Sequence, residues 1–408
     1  MIRNIIIMVI ATITISACSS DDTPSNTPLQ LPAHQIEFSL KQKQIVQKGN
    51  QLAYNSWEMI CDSNPNSDGN QIFSPLSLQM TLSLLANGAE GELLNELINL
   101  YTNGLDEEGL TNLNALNKKL LNELPLVDKS AKLHFANSIW CDRAFDFEAE
   151  YADKCSDIYN ATKHKYDIGT EEARKDFNQW ASDNTNGMIK EFLQAPPFGE
   201  AILANATYFK GFWQYPFNKK DTSKQDFFCQ SGEVKQVEMM HFDDYVYDAK
   251  ENSNMSYVVI PYLNGGFSMN ILMPKEGTDF NECVHNFAEN TIVWEKVGKA
   301  KISIPRFSIG ATYNNLPEIV EKMGVPHLSA STKRIFKNAE FRLSQIMQSS
   351  KFVVDEEGSE AAAVTSLTSC GGVSNGSNFQ ININRPFFFT LTEQSTGTIL
   401  FMGKVTQF

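Results

Sequence analysis

Apolar positions in the first half of the chain fall at helical spacing. Over residues 40–61, Ile45, Leu52, Trp57 and Ile60 mark one face of a helix. Ser74-Pro75 precedes Leu76, Leu78, Met80, Leu82 and Leu84, which predicts a buried helix with Ser74 as N-cap and Pro75 in its first position. A third helical pattern runs from Asn178-Gln179-Trp180 to Phe192, broken near Gly187. The second half changes period. Residues 201–209 form a near-continuous apolar run, the mark of a strand buried on both faces. Strand patterns follow at 256–260 and 267–273, joined through the turn Leu263-Asn264-Gly265-Gly266, and at 300–304, 351–355, 386–391 and 399–405. Helices gathered early and strands gathered late predict an α+β domain with a large mixed sheet.

The first residues follow a different logic. A basic start (Met1-Ile2-Arg3), an apolar stretch from Ile5 to Ile15 and small residues before Cys18 describe a signal peptide over residues 1–17. Cys18 directly after Ile15-Ser16-Ala17 resembles the bacterial lipobox, which implies a diacylated Cys18 at the mature N-terminus. Residues 18–32 are rich in Pro, Ser, Thr and Asn and read as a flexible, lipid-anchored tether. Asp21-Asp22 resembles the export tag of Bacteroidetes-type surface lipoproteins. The expected location is the outer membrane, exposed on the cell surface, with the periplasmic face as the alternative. No second linker or repeat follows, so residues 33–408 read as one domain, and no later apolar run reaches the ~18 residues of a spanning helix.

Composition narrows the partners. Of 408 residues 42% are hydrophobic and 20% charged, an ordinary globular balance. The 34 basic residues face 48 acidic ones, a formal charge of −14, and the region from the second helix to Leu126 contains Lys118-Lys119 but no broader basic stripe. That argues against nucleic acid, anionic membrane surfaces and heparin-type activators, and leaves membrane contact to the anchor at Cys18. The six histidines lack metal-ligand spacing, so neither a metal nor a cofactor is predicted. Beyond Cys18, Cys61, Cys141, Cys155, Cys229, Cys283 and Cys370 are irregularly spaced. Export permits disulfides, and a core of this size accommodates free thiols equally well.

One stretch resists a place in a compact domain. Between Glu360 and Asn378 the chain is small, polar and Gly-rich, yet strand patterns flank it. Cys370-Gly371-Gly372 as a nucleophile has no His within 40 residues. Ser74-Pro75-Leu76-Ser77 lacks the nucleophile elbow, and no P-loop or dinucleotide fingerprint occurs. A concealed strand accounts for the stretch better. With period two from Ser359, one face carries Ser359, Ala361, Ala363, Thr365, Leu367 and Ser369, uncharged throughout and acceptable inside a sheet. Gly358 and Gly371-Gly372 supply bending freedom. Insertion would add about a dozen ladder bonds at ~1 kcal/mol net each.

At these residues the chain resembles the serpin family. Asp355-Glu356-Glu357-Gly358-Ser359-Glu360-Ala361-Ala362-Ala363-Val364-Thr365 is similar to the hinge of inhibitory serpins. Phe73-Ser74-Pro75-Leu76-Ser77, Ala86-Asn87-Gly88-Ala89-Glu90-Gly91, Asn205-Ala206-Thr207-Tyr208-Phe209-Lys210-Gly211-Phe212-Trp213, Asn384-Arg385-Pro386-Phe387-Phe388-Phe389 and Leu400-Phe401-Met402-Gly403-Lys404-Val405 resemble further family segments in family order. The resemblance implies helices packed on a large mixed main sheet, smaller sheets, and an exposed reactive-centre loop at about 357–383. It implies an irreversible suicide-substrate inhibitor of serine, and secondarily cysteine, endopeptidases, acting as a monomer and not as an enzyme. A non-inhibitory serpin with a binding or chaperone-like role is the alternative.

Residue roles follow from the same resemblance. Glu356, Glu357, Gly358, Ser359, Glu360, Ala361, Ala362, Ala363 and Val364 form the hinge. Ser74, Ser77, Asn205 and Gln348 fall at the shutter, where main-sheet strands part. Gln348 stands where many serpins have His, and an amide cannot become cationic in mild acid. Arg306 and Glu356 match an exposed pair worth ~0–1 kcal/mol, with Trp213 beneath. Hinge spacing places the reactive bond at Gly372–Val373, within the window Cys370–Asn375. That window has no Arg or Lys, which points to elastase-like or subtilisin-like proteases.

Overall fold

The computed structural model describes residues 31–63, 69–102, 107–314, 316–337, 339–358 and 377–408. Its elements, in chain order, begin with α1 (Leu40–Asp62), β1 (Gln71–Phe73), α2 (Pro75–Ala86), α3 (Gly91–Tyr101), α4 (Glu107–Val127), β2 (Lys132–Asp142), α5 (Ala149–Tyr159), β3 (Thr162–Tyr166) and α6 (Glu171–Asn184). There follow β4 (Ala201–Lys210), β5 (Ser223–Phe228), β6 (Val234–Glu251), β7 (Met255–Pro261), β8 (Phe267–Pro274), α7 (Phe280–Ala288), β9 (Lys296–Pro305) and β10 (Phe307–Tyr313). The chain closes with α8 (Leu316–Lys322), β11 (Gln345–Val354), β12 (Ser377–Asn382), β13 (Phe387–Glu393) and β14 (Thr398–Val405). The α+β reading holds.

The cap expected at Ser74 forms, and the structure adds one at the start of α1. Ser39 and Gln42 make a reciprocal capping box at α1, and Ser74 Oγ accepts the Ser77 N–H at α2. The α2 helix is buried nearly all round, as its Leu- and Met-rich sequence requires. The helix expected from Asn178 to Phe192 ends sooner, at Asn184. Asn186 and Gly187 take positive φ, and residues 192–193 fold back onto α6. There Asn178 Oδ1 accepts the N–H groups of Phe192 (2.8 Å) and Leu193 (2.7 Å), so the asparagine pins a loop instead of extending a helix.

Among the described residues, two sheets organise the strands. A nine-stranded sheet runs β1-β14-β13-β8-β7-β6-β9-β12, with β5 added on β6. A five-stranded sheet runs β10-β11-β4-β2-β3. Strands β2 and β3 lie in the half that the pattern assigned to helices. β11 starts at Gln345, ahead of the 351–355 pattern, because Gln345, Gln348, Ser349 and Ser350 are buried although polar. A large core joins α1 to α5 with both sheets. A second core lies beneath α6, where Trp140, Phe177, Trp180 and Phe192 pack on Ile202 and Ala204 of β4 and Met347 of β11. Trp140 and Phe177 stack with centroids 3.7 Å apart. Helix α6 and its trailing segment thus lie across the β11/β4 junction.

Candidate functional site

That junction is a parallel pair flanked on both sides by antiparallel ones, and β2/β3 at the sheet edge is parallel as well. β10/β11 and β4/β2 are antiparallel, but β11 and β4 run parallel, with Gln348 opposite Asn205 and Lys351 opposite Tyr208. Chain that leaves the end of β11 and reverses would run antiparallel to β11 and to β4 alike. A strand entering between them would therefore replace one parallel ladder with two antiparallel ones, which are slightly more stable per residue.

The N-terminus of α2 grips both banks of this seam. On one bank, the Ser74 N–H donates to Gln348 Oε1 (3.0 Å) and Gln348 Nε2 donates to the Ser74 carbonyl (2.9 Å). Ser74 Oγ donates to the Leu400 carbonyl of β14 (2.7 Å). On the other bank, Ser77 Oγ bonds Thr207 Oγ1, Thr207 donates to Asn205 Oδ1 (2.7 Å), and Asn205 Nδ2 donates to Asn137 Oδ1 (2.9 Å). Asn137 Nδ2 closes the chain on the Tyr159 carbonyl (3.1 Å). Thr207 has one proton and gives it to Asn205, so Ser77 is the donor in the first link. All six of these side chains are buried, where an unmade bond would be costly.

At the top of the seam the chain turns after β11. The half-buried Asp355 carboxylate accepts the N–H groups of Glu357 (3.0 Å) and Gly358 (3.2 Å), and the Asp355 N–H donates to the Gly358 carbonyl (2.9 Å). This is an Asx turn closed on itself. Burial pushes the Asp355 carboxyl above the ordinary aspartate range, against the pull of the two N–H groups. Trp213, fully buried, fastens the turn from below. Its indole N–H donates to the Asp355 carbonyl (2.9 Å), its backbone N–H to the Glu357 carbonyl (2.9 Å), and its ring stacks on Tyr262. The Phe217 N–H holds the Glu356 carbonyl (2.8 Å).

The two glutamates turn inward. Glu356 is 3% exposed at its side chain, not exposed as the resemblance implied, while Arg306 is half exposed. Its carboxylate accepts Thr222 Oγ1 at 2.8 Å and meets Arg306 Nε at 3.5 Å. The pair expected as a surface contact is thus one buried carboxylate held by a surface cation, because Glu356 lies under residues 217–222. Glu357 binds Lys219 at 2.6 Å, and its other oxygen is buried without a partner among the described residues.

Gly358 ends the described hinge. It forms an antiparallel bridge with Phe212, just beyond β4. Its φ of 146° and its closeness to the neighbouring backbone admit only glycine: a Cβ there would overlap the Gly211 carbonyl oxygen and stand 2.8 Å from Phe212 Cα. The chain is therefore already reversed and already paired on the β4 side.

Sequence comparison matches residues 47–408 to the family model described as Serpin (serine protease inhibitor). The chain belongs to the serpin family. Among curated serpins, it is 26% identical to Serpin B3 of Homo sapiens, over 83% of this chain and 94% of that one. It is 28% identical to Leukocyte elastase inhibitor A of Mus musculus, over 87% and 97%. Serpin48 of Tenebrio molitor shares the serpin fold at a TM-score of 0.78 and 24% identity, covering 91% of this chain and all of that one. The thermophilic serpin tengpin, solved in its native state, matches at a TM-score of 0.77 and 24% identity, over 93% and 97%.

The described serpin fold brings Ser74, Ser77, Asn205 and Gln348 together at the seam, and Trp213, Arg306, Glu356, Glu357 and Gly358 at its top. Cys18, the hinge residues Ser359 to Val364, and Gly372 and Val373 lie outside the described residues. Asn137, Thr207, Lys219, Thr222 and Asp355 complete the site and had no assigned role in the sequence reading. Thr207 and Asn205 left a trace, two polar positions on one face of an apolar strand; Lys219 and Thr222 left none. Cys61, Cys141, Cys155, Cys229 and Cys283 are free and buried. Burial pushes the Cys141, Cys155 and Cys283 thiols up to about 11 and Cys61 to about 12, which keeps them protonated and inert at neutral pH.

Proposed function

We propose that this serpin is an irreversible suicide-substrate inhibitor of serine endopeptidases, with cysteine endopeptidases as secondary targets. The observation that carries the reading is the parallel β11/β4 seam, with Gly358 already bridged to Phe212 at its mouth. In the proposed step the protease nucleophile attacks the Gly372 carbonyl carbon and the C–N bond to Val373 breaks. The leaving amine takes a proton, and the protease stays esterified to the new C-terminus. The segment from Ser359 then enters the seam as a strand, and its uncharged stripe suits that burial. The protease is dragged along and its active site distorted before water can release it.

Incubation with elastase-like and subtilisin-like proteases tests this. A complex that survives SDS is the expected result, with mass spectrometry of the released fragment placing the cut at Gly372–Val373. Cleavage without complex by every active protease tried would overturn the reading and leave a non-inhibitory binding role. Loop cleavage should also raise thermal stability, which that alternative does not predict. We further propose a surface lipoprotein anchored through Cys18, a reading supported by the sequence from Met1 to Asp22. Cys18→Ala should abolish labelling by radioactive palmitate and release the protein from the membrane fraction.

A further inference from the structure

The segment after β8, the turn following β5 and the approach to β13 enclose a cleft of about 500 Å³, a size that suits a small molecule. Phe228, Phe280 and Pro386 contribute apolar surface, and Phe228 stands 44% exposed. Arg385 contributes the charge. Its side chain is only 26% exposed, and its ionic partner among the described residues is Glu276, 3.7 Å away and almost wholly in solvent. A guanidinium carries five N–H donors in a planar fork that matches a carboxylate or sulfonate. The other charges of the cleft are engaged elsewhere. Lys275 pairs with Glu251 at 3.0 Å, and Asp279 caps α7 by accepting the Glu282 N–H at 2.7 Å.

We propose that this cleft binds a small amphipathic anion, an aryl or alkyl body bearing one carboxylate or sulfonate, with the charged end on Arg385 and the body against Phe228 and Phe280. The site stands apart from the β11/β4 seam and does not depend on the inhibitor reading.

The test is a fluorescence titration of the full chain with 8-anilinonaphthalene-1-sulfonate. Saturable one-site binding is expected. Arg385→Gln should weaken it about tenfold and Arg385→Lys much less, since the charge remains. The neutral analogue N-phenyl-1-naphthylamine should not distinguish Arg385→Gln from the parent. Absence of saturable binding or equal affinity in Arg385→Gln would each overturn the proposal. If Arg385→Gln does not fold, Phe228→Ser decides: an affinity equal to the parent's overturns it too.

Discussion

Gln348 and Asn205 stand directly opposite one another across the β11/β4 seam, and among the described residues neither side chain bonds the other. Each is satisfied on its own bank, Gln348 by the backbone of Ser74 and Asn205 by Asn137 and Thr207. Parting these strands therefore breaks their backbone ladder but no side-chain bond between these two residues. Gln348→Ala changes that balance by leaving the buried N–H of Ser74 without a partner, while the Ser74 carbonyl keeps the Leu78 N–H (3.2 Å). It should cost about 1–3 kcal/mol, read as a lower denaturant midpoint at unchanged slope. A midpoint within error of the parent's would refute the role of this bond.

The Asp355 turn predicts a pH dependence. Burial raises this carboxyl above its unfolded value. Its contribution to stability is then fully present below the unfolded pKa near 4 and is lost as pH rises through the higher folded value. At neutral pH the turn holds a poorly solvated charge. Asp355→Asn keeps the acceptor oxygen and removes that charge, so it should raise Tm at pH 7, with the gain fading toward pH 4. Thermal melts of both proteins from pH 4 to 8 measure the difference. A gain that grows in acid would contradict the argument.

Lys219 and Glu357 should respond unequally to removal. Glu357 is buried and Lys219 largely in solvent. Lys219→Ala strands a carboxylate away from water, whereas Glu357→Gln leaves only a solvated ammonium. Lys219→Ala should lower Tm more than Glu357→Gln. The reverse order would mean that Glu357 is held by its surroundings and not by the lysine.

Gly358→Ala tests the pre-formed rung. Its positive φ and the Gly211 backbone leave no room for a methyl group, so the bridge to Phe212 should be lost at a cost of about 1–3 kcal/mol. With the reversal undone, a larger share of encounters should end in cleavage without complex. That appears as a higher stoichiometry of inhibition. An unchanged stoichiometry would show that the bridge plays no part in strand entry.

Charge placed on the stripe should act at a later step. Ser359→Arg or Ala361→Arg would bury an unpaired cation on insertion, which costs several kcal/mol. Each variant should be cut at the parent's rate yet form no SDS-stable complex. Persistent complex formation would argue against deep burial of this face.

The seam was legible where polar residues interrupt apolar runs. Ser74 announced itself as a cap before Pro75, and β4 appeared as a run of nonpolar residues around Asn205. What escaped was physical in origin. The first half of β11 is buried yet polar, because its Gln and Ser side chains are satisfied inside the protein, so no hydrophobic period marks it. Glu356 looked like surface charge because nothing local shows that residues 217–222 fold over it. The helix continued past Asn184 in the pattern because Phe192 and Leu193 return to the face that α6 buries, which imitates helical periodicity. Lys219 and Thr222 reach the turn only through tertiary folding.

The position of α2 has a consequence beyond the seam. Ser74 reaches β11 and, through Leu400, a strand of the other sheet; Ser77 reaches β4. One helix end thus works as a clasp across two sheets, and the strands cannot separate until it shifts or lets go of one side. The threshold for opening is then set partly from behind. A change on β14, far from the hinge and touching no protease, would be felt as an earlier or later release of the same catch.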